Sequence, residues 1–238
     1  MINRDLIDAV RAGLAARADA SKASGMRAYM KSEMLYLGVQ SGGVVEVSRE
    51  VFPAHLLATF DDWRETVLAL WTPARFREER YAALSLVGWR TYKPFRTSLD
   101  ALPLFEQLIV DGAWWDLVDG LATHEVGDLL RRFPDAMHGT LLEWSRGADP
   151  WLRRTSIICQ VGFKGATDRP LLYACIEPNL GERGFFLRKA IGWALREFAK
   201  AAPDEVRRYV EAHETQLSGL SRREALKHIS LHSDPASA

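Results

Sequence analysis

Leu6, Val10, Leu14 and Ala15 recur near i, i+4 and i+8, the spacing that gathers apolar side chains on one face of a helix. Leu56, Leu57, Phe60, Trp63, Val67, Leu68 and Trp71 spread over one broad apolar face, and Leu187, Ile191, Trp193, Leu195 and Phe198 repeat the pattern later. The alternation of apolar and polar residues that a half-buried strand requires is missing. The pattern predicts an all-α chain. Prolines punctuate it: Thr72-Pro73, Asp149-Pro150 and Ala202-Pro203 each put a proline near a first helical turn, where its missing N–H costs little. Ser221 followed three residues later by Glu224 fits a capping box.

Superposing these segments exposes a repeat. Phe76-Arg77, Trp115-Asp116, Leu152-Arg153-Arg154, Leu187-Arg188-Lys189 and Leu220-Ser221-Arg222-Arg223 each open an apolar helix, at separations of 39, 37, 35 and 33 residues. Helical-hairpin repeats of the HEAT and armadillo kind have periods of about 40–47 residues. The short, drifting spacing indicates divergent repeats. A hairpin buries its apolar face by stacking on its neighbours, so the expected fold is a curved solenoid of HEAT-like hairpins over residues 1–232. Equivalent helices would then line a concave wall with a column of Arg, Lys and Trp. An irregular helical bundle is the alternative architecture.

Composition changes this picture little: 47% hydrophobic and 26% charged residues are ordinary for a globular chain. The net charge of zero does not exclude nucleic acid, because binding depends on where charges lie. Basic residues gather in the last third, among them Arg183, Arg188, Lys189, Arg196, Lys200, Arg207, Arg208, Arg222, Arg223 and Lys227. Cys159 and Cys175 sit in apolar surroundings without a CxxC pattern and read as reduced, buried thiols. No apolar run approaches the ~20 residues of a membrane span, and the N-terminus has no signal-peptide core. A cytoplasmic protein with no membrane partner is expected, with residues 233–238 a disordered tail.

Candidate chemistry centres on Trp114-Trp115-Asp116-Leu117-Val118-Asp119. In a helix Trp115 and Asp119 are i, i+4 neighbours, with Trp114 and Val118 on the adjacent stripe. An indole beside a carboxylate suits a cationic partner; the same spacing also fits two core tryptophans and a solvated aspartate. Arg153 and Arg154 follow Asp149-Pro150, early in a helix whose dipole opposes them. They serve either an external anion such as phosphate or an ion pair with an acid such as Glu125 or Asp128. Gly192, in mid-helix, costs ~1 kcal/mol relative to alanine and implies close approach of a packed helix or a ligand. The six histidines form no zinc signature, and His228 and His232 make a weak pair near the C-terminus. No GxSxG, P-loop or GxGxxG is present, and neither metal nor cofactor is expected.

Taken together, Met26 to Lys31, Leu35 to Val39, Trp114 to Asp119, Trp151 to Arg154, Lys189 to Lys200 and Ser221 to Ile229 resemble the AlkD family of DNA alkylation-repair glycosylases. The resemblance runs in order from about residue 25 to about residue 230. It implies HEAT-like repeats cradling duplex DNA, and excision of cationic N3- and N7-alkylated purines without holding a flipped base in a pocket. It places the catalytic carboxylate on Asp119, two sugar-contacting indoles on Trp115 and Trp193, the phosphate-binding arginine on Arg154 and the aromatic near the lesion on Tyr29. Arg153, Arg188, Lys189, Arg196, Arg222 and Arg223 are expected to join Arg154 and Tyr29 in holding DNA.

The chemistry is consistent with one carboxylate. A cationic alkylpurine leaves as a neutral base and needs no general acid, so the site has only to stabilise the sugar cation and supply water. The implied protein is a monofunctional glycosylase that acts as a monomer on double-stranded DNA with alkylated bases. A non-catalytic protein binding damaged or branched DNA and a HEAT-type protein scaffold are the competing classes. The glycosylase reading requires Asp119 to be open to solvent and not tied up in an interior ion pair.

Overall fold

Fifteen α-helices and no strand make up residues 1–229, the part of the chain that the computed structural model describes. His232 and the expected tail at 233–238 lie outside the described residues. The chain divides into two compact units, Met1–Leu104 and the residues from Phe105 onward. Among the described residues no helix is long and apolar enough to cross a membrane.

The first unit holds α1 (Arg4–Ala16), α2 (Ala20–Met30), α3 (Ser41–Val51), α4 (Phe60–Trp71), α5 (Arg77–Val87) and α6 (Lys93–Arg96), and α7 (Leu102–Gly112) spans its boundary. The Asn3 side chain caps α1 by accepting from the Leu6 N–H, and α1 buries Leu6, Ile7, Val10 and Leu14. Ala15 falls outside this stripe and is exposed. In α4 the buried face is Trp63, Thr66, Val67, Leu70 and Trp71. Leu56, expected on that face, precedes the helix and is exposed. Thr72 ends α4, so Pro73 follows a helix instead of opening one.

The Leu35–Val39 segment has its own determinant. The fully buried Glu78 carboxylate of α5 accepts the N–H groups of Leu37, Gly38 and Val39 at 3.0, 2.8 and 3.1 Å. Gly38 is at φ +86, and a Cβ there would lie 2.0 Å from the Asp19 carbonyl oxygen, so only glycine fits.

The second unit continues with α8 (Trp115–Gly120), α9 (Gly127–Arg132), α10 (Pro134–Arg146), α11 (Pro150–Ile158), α12 (Arg169–Ile176), α13 (Phe185–Ala199), α14 (Pro203–Ala212) and α15 (Gly219–Ala225). A π-helical segment, Leu121–Val126, joins α8 to α9 without leaving helical backbone angles. Two rows result. In one, α11 packs on α8, α13 on α11 and α15 on α13; in the other, α12 packs on α10 and meets α14 through stacked Tyr173 and Tyr209, 4.0 Å between centroids. The repeat expected from the helix openings is therefore real in this unit: Trp115, Leu152, Leu187 and Leu220 each lie within the first three residues of a helix of the first row.

Caps explain two boundaries. Asp149 caps α11 by accepting from the N–H groups of Trp151 and Leu152, with Pro150 at the first helical position. Helix α15 starts three residues earlier than the Ser221–Glu224 box suggests: Ser218 is the cap and accepts from the Ser221 N–H. Ser221 is then free to donate to the Arg188 carbonyl at 2.9 Å. Cys159 and Cys175 are free and buried, as their surroundings imply.

Candidate active site

Trp115 opens α8 and Asp119 sits one turn later, while Trp114 stays outside the helix as its extended N-terminal cap residue. The expected adjacent stripe therefore loses Trp114. Its indole packs against Trp151 and Phe186 at centroid distances of 6.2 and 5.0 Å, and Trp151 meets Phe186 at 5.0 Å. This aromatic cluster joins the beginnings of α8, α11 and α13. The Trp114 Nε1 is buried there with no hydrogen-bond partner.

Beside the cluster lies a cavity of about 250 Å³ lined by Trp115, Asp119, Arg154, Phe185, Phe186, Lys189, Trp193 and Arg196. Four residues expected to act together thus share one wall: Trp115, Asp119, Arg154 and Trp193. Lys189, Trp193 and Arg196 reach it because i, i+4 and i+7 fall on one face of α13. The opposite face carries the buried Leu187, Ile191, Leu195 and Phe198, so Trp193 belongs to the cavity and not to the core stripe. Phe185 and Phe186 were not singled out from sequence; their signal was two aromatics at a helix opening, just ahead of the repeat position Leu187.

The Asp119 carboxylate is not unpaired. Arg154 donates Nε to Oδ1 and Nη2 to Oδ2, both at 2.7 Å, and Nη1 to the Phe186 carbonyl at 2.6 Å. Side-chain exposure is 4% for Arg154 and 19% for Asp119. The pair is asymmetric: the guanidinium is sealed into the protein, and the carboxylate meets the cavity. Each carboxylate oxygen keeps lone-pair capacity beyond its bond to Arg154. The expectation of a carboxylate free of ion pairing is corrected: the pair is interior on the guanidinium side only, and the carboxylate stays 19% exposed on the cavity, which is the access that the glycosylase reading needs. Three of the five N–H donors of Arg154 are turned to Asp119 and Phe186 and its side chain is 4% exposed, so its main partner in this structure is Asp119. The partner is neither Glu125 nor Asp128.

Arg153 donates Nε to Asn179 Oδ1 at 2.7 Å and pairs with Glu182, which removes it from the cavity. Arg222 pairs with Glu214 at 2.8 Å, and Arg223 is exposed on α15. Arg188 is half-buried, with its Nε enclosed and lacking a partner. Tyr29 lies on α2 of the first unit and is 76% exposed.

Lys189 and Arg196 share one acid. Glu224 of α15 accepts from Lys189 Nζ at 2.6 Å and from Arg196 Nη1. The Lys189 hydrogen bond, aided by the charges of Lys189, Arg196 and Lys227, holds this carboxyl below its ordinary range against the opposing effect of burial. Gly192 makes the arrangement possible. A Cβ there would lie 2.5 Å from Glu224 Cβ and 3.0 Å from the Ser221 carbonyl oxygen, so its close neighbour is a packed helix and not a ligand.

Comparison with known proteins agrees with this architecture. Residues 10–229 match the model of the family described as DNA alkylation repair enzyme. A solved structure described as "Predicted DNA alkylation repair enzyme from Enterococcus faecalis" superposes with a TM-score of 0.79 at 26% sequence identity, covering 90% of this chain and 98% of that one. No curated protein matches the chain.

Proposed function

This chain belongs to the DNA alkylation repair enzyme family, and on that premise we propose that it is a monofunctional DNA glycosylase for cationic N3- and N7-alkylated purines in duplex DNA. The observation that carries the reading is the shared cavity in which Asp119, oriented by Arg154, lies with Trp115 and Trp193. At about 250 Å³ the cavity falls below the ~300–1,000 Å³ of ordinary ligand pockets. That size favours a sugar-sized group over a complete extruded nucleoside.

The alkylated base carries a positive charge, so the C1′–N bond breaks with its electron pair leaving on the base, which becomes neutral. Cation develops on the deoxyribose. Asp119 stabilises it electrostatically, and the indole faces of Trp115 and Trp193 add cation–π attraction that strengthens as charge develops. Water held by the free lone pairs of Asp119 adds to C1′, and its proton passes through the carboxylate to solvent. Arg154 is a positioning residue: its bidentate grip fixes the carboxylate plane before the reaction begins. Lys189 and Arg196 at the rim attract the phosphates of the same strand. The product is an abasic site in an uncut strand.

The test is release of N7-methylguanine from duplex DNA, followed chromatographically. Asp119→Asn is expected to slow release by on the order of 10²- to 10³-fold, the usual effect of deleting one preorganised electrostatic group. Release at the wild-type rate by that variant would remove the assigned mechanism. Salt-sensitive binding of damaged duplex without base release would favour a non-catalytic DNA-binding protein.

A further inference from the structure

Glu224 has no part in the chemistry just described, yet it sits between the two cations at the cavity rim. Its carboxylate, 15% exposed, accepts from both Lys189 and Arg196. The docking of α15 on α13 has other contacts besides these bonds. Gly192 lets the helices touch, and the buried Ser221 hydroxyl ties them by donating to the Arg188 carbonyl at 2.9 Å. A carboxylate placed between two rim cations, where other contacts already hold the interface, calls for an electrostatic explanation.

The charges around the cavity make one available. Asp119 and Arg154 neutralise each other, and Glu224 neutralises one of the two remaining cations. One positive charge is left among Glu224 and the groups that line the cavity, which matches a single phosphodiester. With both cations uncompensated the cavity would hold DNA more tightly, but it would also oppose formation of a sugar cation inside it. We propose that Glu224 is a positioning residue that sets the charge of the site, holding Lys189 and Arg196 at the rim and limiting their joint pull to one phosphate. The inference rests on the DNA-repair reading, and the experiment separates the two.

Binding of an unmodified duplex is measured by fluorescence anisotropy across a salt series, and base release from N7-methylguanine duplex is measured in parallel. Each phosphate neutralised contributes about −0.9 to the slope of log affinity against log salt. Glu224→Gln is expected to steepen that slope by about one unit and to raise affinity about fivefold or more at roughly 0.1 M salt. Its kcat for base release falls about threefold or more, because the added charge repels the developing cation. Glu224→Gln/Lys189→Gln returns the slope to the wild-type value. A merely structural role predicts weaker binding at every salt concentration, with an unchanged slope and release lowered in step.

Should Glu224→Gln not fold, Arg196→Gln decides the matter. It leaves Lys189 neutralised by Glu224, and the slope becomes shallower by about one unit. An unchanged slope in that variant, or in a folded Glu224→Gln, overturns the inference, as does an absence of salt-dependent duplex binding by the wild type. Slope shifts of the expected sign without any base release support the charge-setting role of Glu224 and refute the glycosylase reading alone.

Discussion

Replacing Arg154 by methionine deletes three hydrogen bonds, two of them to Asp119, and leaves the Asp119 carboxylate without its counter-ion. Breaking a buried ion pair from one side costs about 3–5 kcal/mol, chiefly the penalty of the charge left behind. Asp119 keeps 19% of its side-chain exposure, so water partly solvates the orphaned charge and the lower figure of about 3 kcal/mol applies. Asp119→Asn leaves the opposite orphan. Arg154 is 4% exposed, and the cost should approach about 5 kcal/mol. For a chain of this size these values correspond to melting temperatures lowered by roughly 6–20 °C. The double variant Asp119→Asn/Arg154→Met buries no uncompensated charge, so its loss should fall short of the sum by about 2–3 kcal/mol. Urea unfolding of the four proteins at one pH and salt concentration, followed by tryptophan fluorescence, measures that coupling. Additivity within about 0.5 kcal/mol would refute the argument that the two side chains act as one unit. The cycle also guards the catalytic test. Loss of base release in Asp119→Asn is attributed to chemistry only at temperatures where the variant remains folded.

Gly192→Ala forces its new methyl group to within 2.5 Å of Glu224 Cβ, and overpacking of this kind costs about 1–3 kcal/mol; a melting temperature equal to that of the wild type would contradict the close helix approach. Burial pushes Cys175 up to about 12 from its ordinary 9.0 and raises Cys159 well above that value, so neither thiol should react with a disulfide reagent in the native state at about pH 8, and both should react in denaturant. Because folding raises these two values, the unfolded chain loses the protons first, and stability should decline as pH rises from about 9 toward about 12. A flat stability profile over that range would show that the thiols are not shielded.

Sequence periodicity was enough for the helical class and for the openings of α8, α11 and α13 at intervals of 37 and 35 residues, and Asp149-Pro150 marked the start of α11. These are local properties: apolar spacing, a side-chain oxygen one turn from a free N–H, and a fixed proline φ act within a few residues. The grouping of Trp115 with Asp119 was legible for the same reason, since one helical turn brings them together. Thr72-Pro73 follows α4 instead of opening a helix, and Ser218 caps α15 while Ser221 bonds to the neighbouring α13.

What the tertiary structure decided was which charges meet. Asp119 and Arg154 are 35 residues apart and Lys189 and Glu224 another 35, with no local pattern linking them. An arginine that binds phosphate and one that clamps a carboxylate look alike along the chain. They differ only in how deeply packing seals the guanidinium, and packing arises between helices, not within them. The chain by itself thus specified which residue types its helix openings present, and the stacking of α8, α11, α13 and α15 assigned their partners.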